Sequence, residues 1–271
     1  MKHIYLFVLC VSLLACSRPD TLTILHTNDT HSQVLPKDDG QGGYARRMGL
    51  IAQERTRDKN LLLLDAGDFS QGTIFYNFFH GRIEVDALNR MGYDAITLGN
   101  HEFDNGVDTL ACILKKAHFK VVCANYDVQG TPLQGIVKPY ALFWRNGLLI
   151  GVFGLGFSPA GLIDSSHFAP VRYLPPYERA QEVADILKNR WHCDKVICLS
   201  HMGTYPPAEG DYNDIQMAGQ TRNIDLIIGG HTHMVYQNIQ VPNADGKPVT
   251  LVQSGKSGTQ IGKILLKIDR N

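Results

Sequence analysis

The chain has 271 residues, enough for one large domain with a sizeable core, and its 44% hydrophobic and 19% charged content are those of an ordinary globular protein. Its 26 Lys and Arg residues balance 26 Asp and Glu residues. No global field therefore steers a polyanion, and charge-driven binding of a nucleic-acid polymer is not expected.

Lys2 precedes an apolar run over residues 4–14, too short to cross a bilayer as a mature helix, so residues 1–15 read as a secretory signal. The run ends in Leu13-Leu14-Ala15-Cys16, which resembles a bacterial lipoprotein box, whose Cys is lipidated and becomes the new N-terminus. Residues 16–20 would then be a lipidated Cys and tether. Acyl chains on Cys16 would hold the exported domain, residues 21–271, at a bacterial membrane facing the periplasm or the cell surface. The plain alternative is a signal with a chance Cys.

Beyond the leader, apolar strand-like runs alternate with segments of helical spacing. Residues 21–26 lead into His26-Thr27-Asn28-Asp29-Thr30-His31, and residues 44–57 follow Gly42-Gly43 as a proline-free helix. A run over 61–64 precedes Gly67-Asp68 and a further Gly72, and helical spacing over 83–91 stops at Gly92. Residues 95–98 lead into Gly99-Asn100-His101-Glu102-Phe103-Asp104, and residues 121–124 make another run. Within 141–156, two apolar runs flank Arg145-Asn146-Gly147, and Asn-Gly is a strong hairpin signal. Residues 177–191 place Ala180, Val183, Ala184 and Leu187 on one helical face. Runs over 195–199 and 224–228 precede Ser200-His201 and Gly229-Gly230-His231-Thr232-His233, and runs over 249–252 and 261–268 follow. Short Val-, Ile- and Leu-rich strands between helices predict an α/β protein with strands buried on both faces, and the hairpin makes the sheet mixed. No repeat or second-domain linker is visible.

Export would permit disulfides, and a Cys112–Cys123 bridge is left open. Cys123 and Cys198 lie in strand-like runs and read as buried free thiols, and the absence of CxxC spacing gives no support to a zinc ribbon.

The chemistry gathers at the strand ends. In open α/β sheets, reactive groups collect beyond the carboxyl ends of the strands, where five polar clusters of this chain fall. Asp29 and His31, two residues apart, can point at one centre, and a carboxylate at Asp68 could bridge two cations. Asn100 offers an amide oxygen, and His201, His231 and His233 offer imidazoles. Seven donors exceed the needs of one four-coordinate ion with an open position, and suit two ions about 3.5–4 Å apart. Imidazole and carboxylate donors without thiolate favour divalent Zn, Mn, Fe or Co. His101 and Asp104, three apart on the following turn, form a second unit: Asp104 would orient the His101 ring and favour its protonated form, poising it as a general acid. Glu102 and Phe103 would point elsewhere, Phe103 into the core. Taken singly, each piece has a bland alternative. Gly67-Asp68 suits a turn, Asn100 a helix cap, His26 a core position, and His80, His118, His167 and His192 have no partners.

The ordered set resembles the calcineurin-like metallophosphoesterase superfamily: DxH, GDxxxG, GNHE, a lone His and GHxH. The stretches ILHTNDTHS, GDFSQGT, MGYDAITLGNHEFDNG and IIGGHTH are similar to its 5′-nucleotidase branch, and the likeness spans about residues 21–269. Membership implies a four-layer α-β-β-α sandwich with two mixed central sheets. One metal would then take Asp29, His31, Asp68 and His233, and the other Asp68, Asn100, His201 and His231. Asn100 and His101 would touch the phosphate, with Asp104 supporting His101. A hydroxide between the ions would attack phosphorus while His101 protonates the leaving oxygen. Members of that branch usually continue into a C-terminal domain that grips base and phosphate. Here the expected domain is missing, so a separate polypeptide would supply it, or the substrate is a different phosphate ester. Rival expectations are a 2′,3′-cyclic nucleotide phosphodiesterase, a thiosulfohydrolase, a noncatalytic metal-binding lipoprotein, or one half of a two-chain enzyme.

Overall fold

In the computed structural model, residues 21–205 and 211–267 are described. The expected signal, lipidated Cys16 and tether lie outside the described residues. The described chain runs β1 (Thr21–Thr27), α1 (Tyr44–Arg57), β2 (Leu62–Asp65), α2 (Ile74–Phe79), α3 (Arg82–Met91) and β3 (Ala95–Ile96). A single 3-10 turn over His101–Phe103 leads to α4 (Gly106–Leu114), β4 (Lys120–Val122), β5 (Tyr126–Asp127) and β6 (Val137–Lys138). Then come β7 (Tyr140–Arg145), β8 (Leu148–Leu155), α5 (Ser165–Phe168), β9 (Arg172–Tyr173) and α6 (Pro176–Asp185), which runs on as a π turn over Ile186–Arg190. The last elements are β10 (Lys195–Ser200), α7 (Asp214–Gln220), β11 (Leu226–Gly229), β12 (Val235–Pro242), β13 (Pro248–Ser254) and β14 (Gly262–Lys267).

Two six-stranded sheets organise these elements, in the orders β14-β1-β2-β3-β4-β6 and β12-β13-β11-β10-β8-β7, and β5 pairs with β9 apart from them. Both sheets are mixed: β1 to β4 and β8, β10, β11 and β13 pair in parallel, while β14, β12 and β7 run antiparallel on the edges. The β7–β8 hairpin turns through Asn146 at φ 51° and Gly147 at φ 82°, the two positive dihedrals of a type I′ turn.

Period-2 alternation assigns the faces. Leu22, Ile24, Leu62 and Leu64 of the first sheet meet Ile150, Val152, Ile197, Leu199 and Ile228 of the second in one buried cluster between the sheets. On the outer side of the first sheet, Leu25, Leu63 and Val121 pack with Ile51, Leu88 and Leu110 of α1, α3 and α4. On the outer side of the second, Val196, Cys198 and Leu251 pack with Ala180, Val183 and Met217 of α6 and α7. The layers therefore run α-β-β-α, as expected.

Differences from expectation are local. Strand β3 stops at Ile96, two residues short of the expected end, although the Thr97 N–H still donates to the Asp65 carbonyl of β2 at 3.0 Å. Edge strand β12 was not expected, since most of its side chains are exposed and it carries no apolar run. Cys112, Cys123, Cys193 and Cys198 are all free, so the Cys112–Cys123 bridge does not form. Among the described residues no helix is long and apolar enough to cross a membrane.

Candidate metal centre

Five parallel strands deliver the expected donors. Asp29 and His31 follow β1, Asp68 follows β2, Asn100 and His101 follow β3, His201 follows β10, and His231 and His233 follow β11. Three of these strands belong to one sheet and two to the other, so the donors meet at the carboxyl edge of the sandwich.

The donors form abutting groups. Asp29, His31 and His233 bring ligand atoms within 4.8 Å of one another, as do Asp68, His201 and His231, and also His31, Asp68 and His101. His31 Nε2 lies 3.0 Å from His233 Nε2, and His233 Nε2 lies 3.3 Å from Asp29 Oδ1. His201 Nε2 lies 3.0 Å from Asp68 Oδ2, and His231 Nδ1 lies 3.1 Å from Asn100 Oδ1. All seven expected ligands are thus together, with Asp68 in two of the three groups. Asn100 does precede a helical turn, but its side chain makes no cap hydrogen bond and faces His231 instead.

The donor chemistry fits cations. His201 Nδ1–H donates to the Ala66 carbonyl at 2.6 Å, which fixes the tautomer and leaves Nε2 as the free nitrogen. That Nε2 is buried and makes no hydrogen bond of proper geometry, although a carboxylate oxygen stands 3.0 Å away. A lone pair and a carboxylate oxygen face each other comfortably only across a positive charge. The electrostatics also call for a positive charge there: burial opposes charge on His201, yet Asp68 and Asp29 push the imidazole up to about 10, so that without a cation Nε2 would carry a proton in its place. For Asp68, burial would raise the carboxyl, but His201, His101 and His31 hold it below the usual carboxylate range. Burial, reinforced by His201, pushes His231 down to about 4, which leaves it neutral and able to ligate.

Close packing around these groups is built into the backbone. Asp29, His31, Asp68, His231 and His233 all have positive φ, between 43° and 68°. Gly99 is needed for space, since a Cβ there would lie 2.1 Å from Asp68 Oδ1 and 2.7 Å from His201 Nε2. His101 sits at the rim, its Nδ1 2.8 Å from Asp104 Oδ2.

Several supporting residues were not anticipated. Asn28 accepts from the Ser254 N–H at 2.8 Å and donates to the Gly255 carbonyl at 2.7 Å, tying the loop after β1 to the end of β13. The Asp29 carboxylate accepts from the His231 N–H at 3.0 Å. Phe157 stacks on the His231 ring with centroids 4.1 Å apart. Glu102 does point away from His101, but into the backbone of the loop after β2. The only sequence trace of these roles is their proximity to the donor clusters.

A profile described as calcineurin-like phosphoesterase matches residues 22–235. The chain belongs to the calcineurin-like phosphoesterase family. Members use divalent metal ions, in keeping with the Asp and His groups above. This phosphoesterase chain is 32% identical over 292 residues to a snake venom 5′-nucleotidase of Gloydius brevicauda, covering 96% of this chain and 47% of that one. Among solved structures, a 5′-nucleotidase precursor from Thermus thermophilus superposes with TM-score 0.83 at 35% identity, covering 92% of this chain and 52% of that one. The NAD nucleotidase of Haemophilus influenzae superposes with TM-score 0.80 at 28% identity, over 90% of this chain and 47% of that one. The chain therefore spans about half the length of these relatives.

Proposed function

We propose that this chain is a two-metal phosphoric-ester hydrolase of the 5′-nucleotidase type. The observation that carries the reading is the position of Asp68, which shares one donor group with His201 and His231 and another with His31 and His101. A carboxylate so placed could serve two ions, one of which Asp29, His31 and His233 would also hold, and the other Asn100, His201 and His231. Imidazole and carboxylate donors favour Zn, Mn, Fe or Co. When bound, such ions supply an activated water and positive charge for the phosphate oxygens.

The chain's own groups do the remaining work. Asn100 and His101 would hold the phosphate. His101, with Nδ1–H committed to Asp104, is left with Nε2 to protonate the leaving oxygen. Burial disfavours the charged ring, but the Asp104 hydrogen bond and the Asp68 charge outweigh it and raise His101 above its ordinary value. The shift favours the protonated form that a general acid needs.

The names of the relatives favour a nucleotide as substrate. Those relatives extend well beyond the region shared with this chain, so nucleoside recognition is assigned to a second unit outside residues 21–267. Export with a lipid anchor at Cys16 would place the enzyme at a membrane surface.

The test is hydrolysis of AMP, NAD, a 2′,3′-cyclic nucleotide and an aryl phosphate by protein reconstituted with Mn²⁺ or Zn²⁺. Metal-dependent release of phosphate from a monoester supports the reading. A protein that takes up metal yet cleaves none of the four is a binding module.

A further inference from the structure

The loops that follow β2 and β3 are joined through one carboxylate. Glu102 is only 4% exposed. Its Oε2 accepts from the Gly99 N–H at 2.6 Å and from the Asp68 N–H at 2.9 Å. Its Oε1 accepts from the Ser70 hydroxyl at 2.9 Å and the Ser70 N–H at 3.2 Å. We propose that Glu102 is a positioning residue for the metal centre, holding the Asp68 backbone against the Gly99–His101 backbone so that the shared carboxylate and the Asn100 amide converge. This rests on the two-metal reading above.

Local geometry makes the group necessary. Gly67 and Asp68 take φ of 90° and 55°, so the chain there has left the sheet and its N–H groups have no ladder partner. Buried N–H groups must be satisfied somewhere, and Glu102 reaches across from the other loop to receive them. Three N–H groups and a hydroxyl arrive together. A carboxyl group suits them because both of its oxygens are placed to accept, whereas an amide would set its own N–H against at least one donor. The brace also works in reverse: Asp68 Oδ1 accepts from the His101 N–H at 3.0 Å. The loops are thus crossed in both directions, and a shift of one displaces donors on the other. Glu102 itself belongs to none of the donor groups, so its influence passes through Asp68, Asn100 and His101.

The experiment compares wild type, Glu102→Gln and Glu102→Asp. Circular dichroism and thermal unfolding of the metal-free proteins establish folding. Equilibrium dialysis measures Mn²⁺ affinity and stoichiometry, and electron paramagnetic resonance reads whether bound Mn²⁺ ions are magnetically coupled. Wild type should bind two coupled ions. Glu102→Gln should fold, bind Mn²⁺ about 10–100-fold more weakly, and show uncoupled Mn²⁺ signals at half-filling and beyond. A folded Glu102→Gln with wild-type affinity and coupling would overturn the proposal, because a mere loop staple would change melting alone. If that variant does not fold, Glu102→Asp makes the same comparison: it keeps the carboxyl group, shortens the reach by one methylene, and should also lose affinity and coupling. Wild-type protein that takes up no Mn²⁺ would instead sink the metal reading itself.

Discussion

His101 Nδ1 lies 2.8 Å from Asp104 Oδ2, with the two side chains 31% and 35% exposed at the rim of the donor cluster. The carboxylate accepts from Nδ1–H, so Nε2 is the nitrogen left to exchange a proton with substrate. Although burial lowers the imidazole, Asp104 and Asp68 raise it above its ordinary 6.5. A general acid must be protonated, so turnover of an alkyl phosphate should fall as pH rises through this raised value. Asp104→Asn removes the charge and should move that alkaline limb to lower pH. A pH profile of kcat for both proteins checks it, and an unmoved limb would assign the titration to another group.

His101 also shares a donor group with His31 and Asp68, which makes metal ligation the competing role. His101→Ala should keep the full metal complement while slowing alkyl-phosphate hydrolysis by about 10²–10⁴-fold, the usual loss for a general acid. An aryl phosphate, whose leaving group needs less protonation, should lose less. Equal losses on both substrates would make His101 a phosphate-binding group, and loss of one metal would make it a ligand.

Asp68→Asn should lower metal content and turnover together. The substitution is nearly isosteric, and the three apolar clusters that hold the sandwich do not include residue 68, so the domain should still fold. Metal analysis beside circular dichroism reads both, with His118→Ala as a control expected to change neither. Normal metal content and activity in Asp68→Asn would remove it from the bridging position.

Gly99→Ala tests the closeness of the packing. The added methyl would fall 2.1 Å from Asp68 Oδ1 and 2.7 Å from His201 Nε2. Both side chains are held by buried partners, so the donors must separate. Metal affinity should collapse, with a loss of stability of about 1–3 kcal/mol for overpacking. Dialysis against Mn²⁺ and thermal unfolding measure the two effects; unchanged affinity would show that the donor spacing has slack.

The domain alone should prefer a small aryl phosphate over AMP. Nucleotides gain affinity from base stacking and from arginine contacts to phosphate, and that remote binding energy also supports the transition state. The side chains shown to converge on the centre are those of His, Asp and Asn. Base-selective AMP hydrolysis by this chain without a partner would place recognition in its own loops, with the exposed Tyr205 and Tyr212 as the first residues to replace.

Sequence pattern disclosed most of this architecture, for physical reasons that differ by element. Helix α1 was legible because two glycines precede it and no proline interrupts it, and β1 and β2 because strands buried on both faces leave unbroken apolar runs. Strand β12 was not, because an edge strand exposed along most of its length has no such run. The seven expected donors were visible because each is a side chain of a metal-ligating type just past a strand. Glu102 and Asn28 were not readable in the same way. They act on backbone N–H and C=O groups from distant loops, and a sequence does not display where those groups point.

Asp29, His31, Asp68, His231 and His233 all hold left-handed backbone, a conformation that costs residues with a Cβ about 1–2 kcal/mol in general and somewhat less for Asp and His. The centre is therefore where folding and chemistry ask for different amino acids. A laboratory selection for heat resistance alone should drift toward glycine at His233, whose side chain is 36% exposed and has the least packing to lose. Such clones would melt higher and be catalytically silent. A directed-evolution campaign on this domain would have to screen for turnover in every round, or it would erase the site while improving the scaffold.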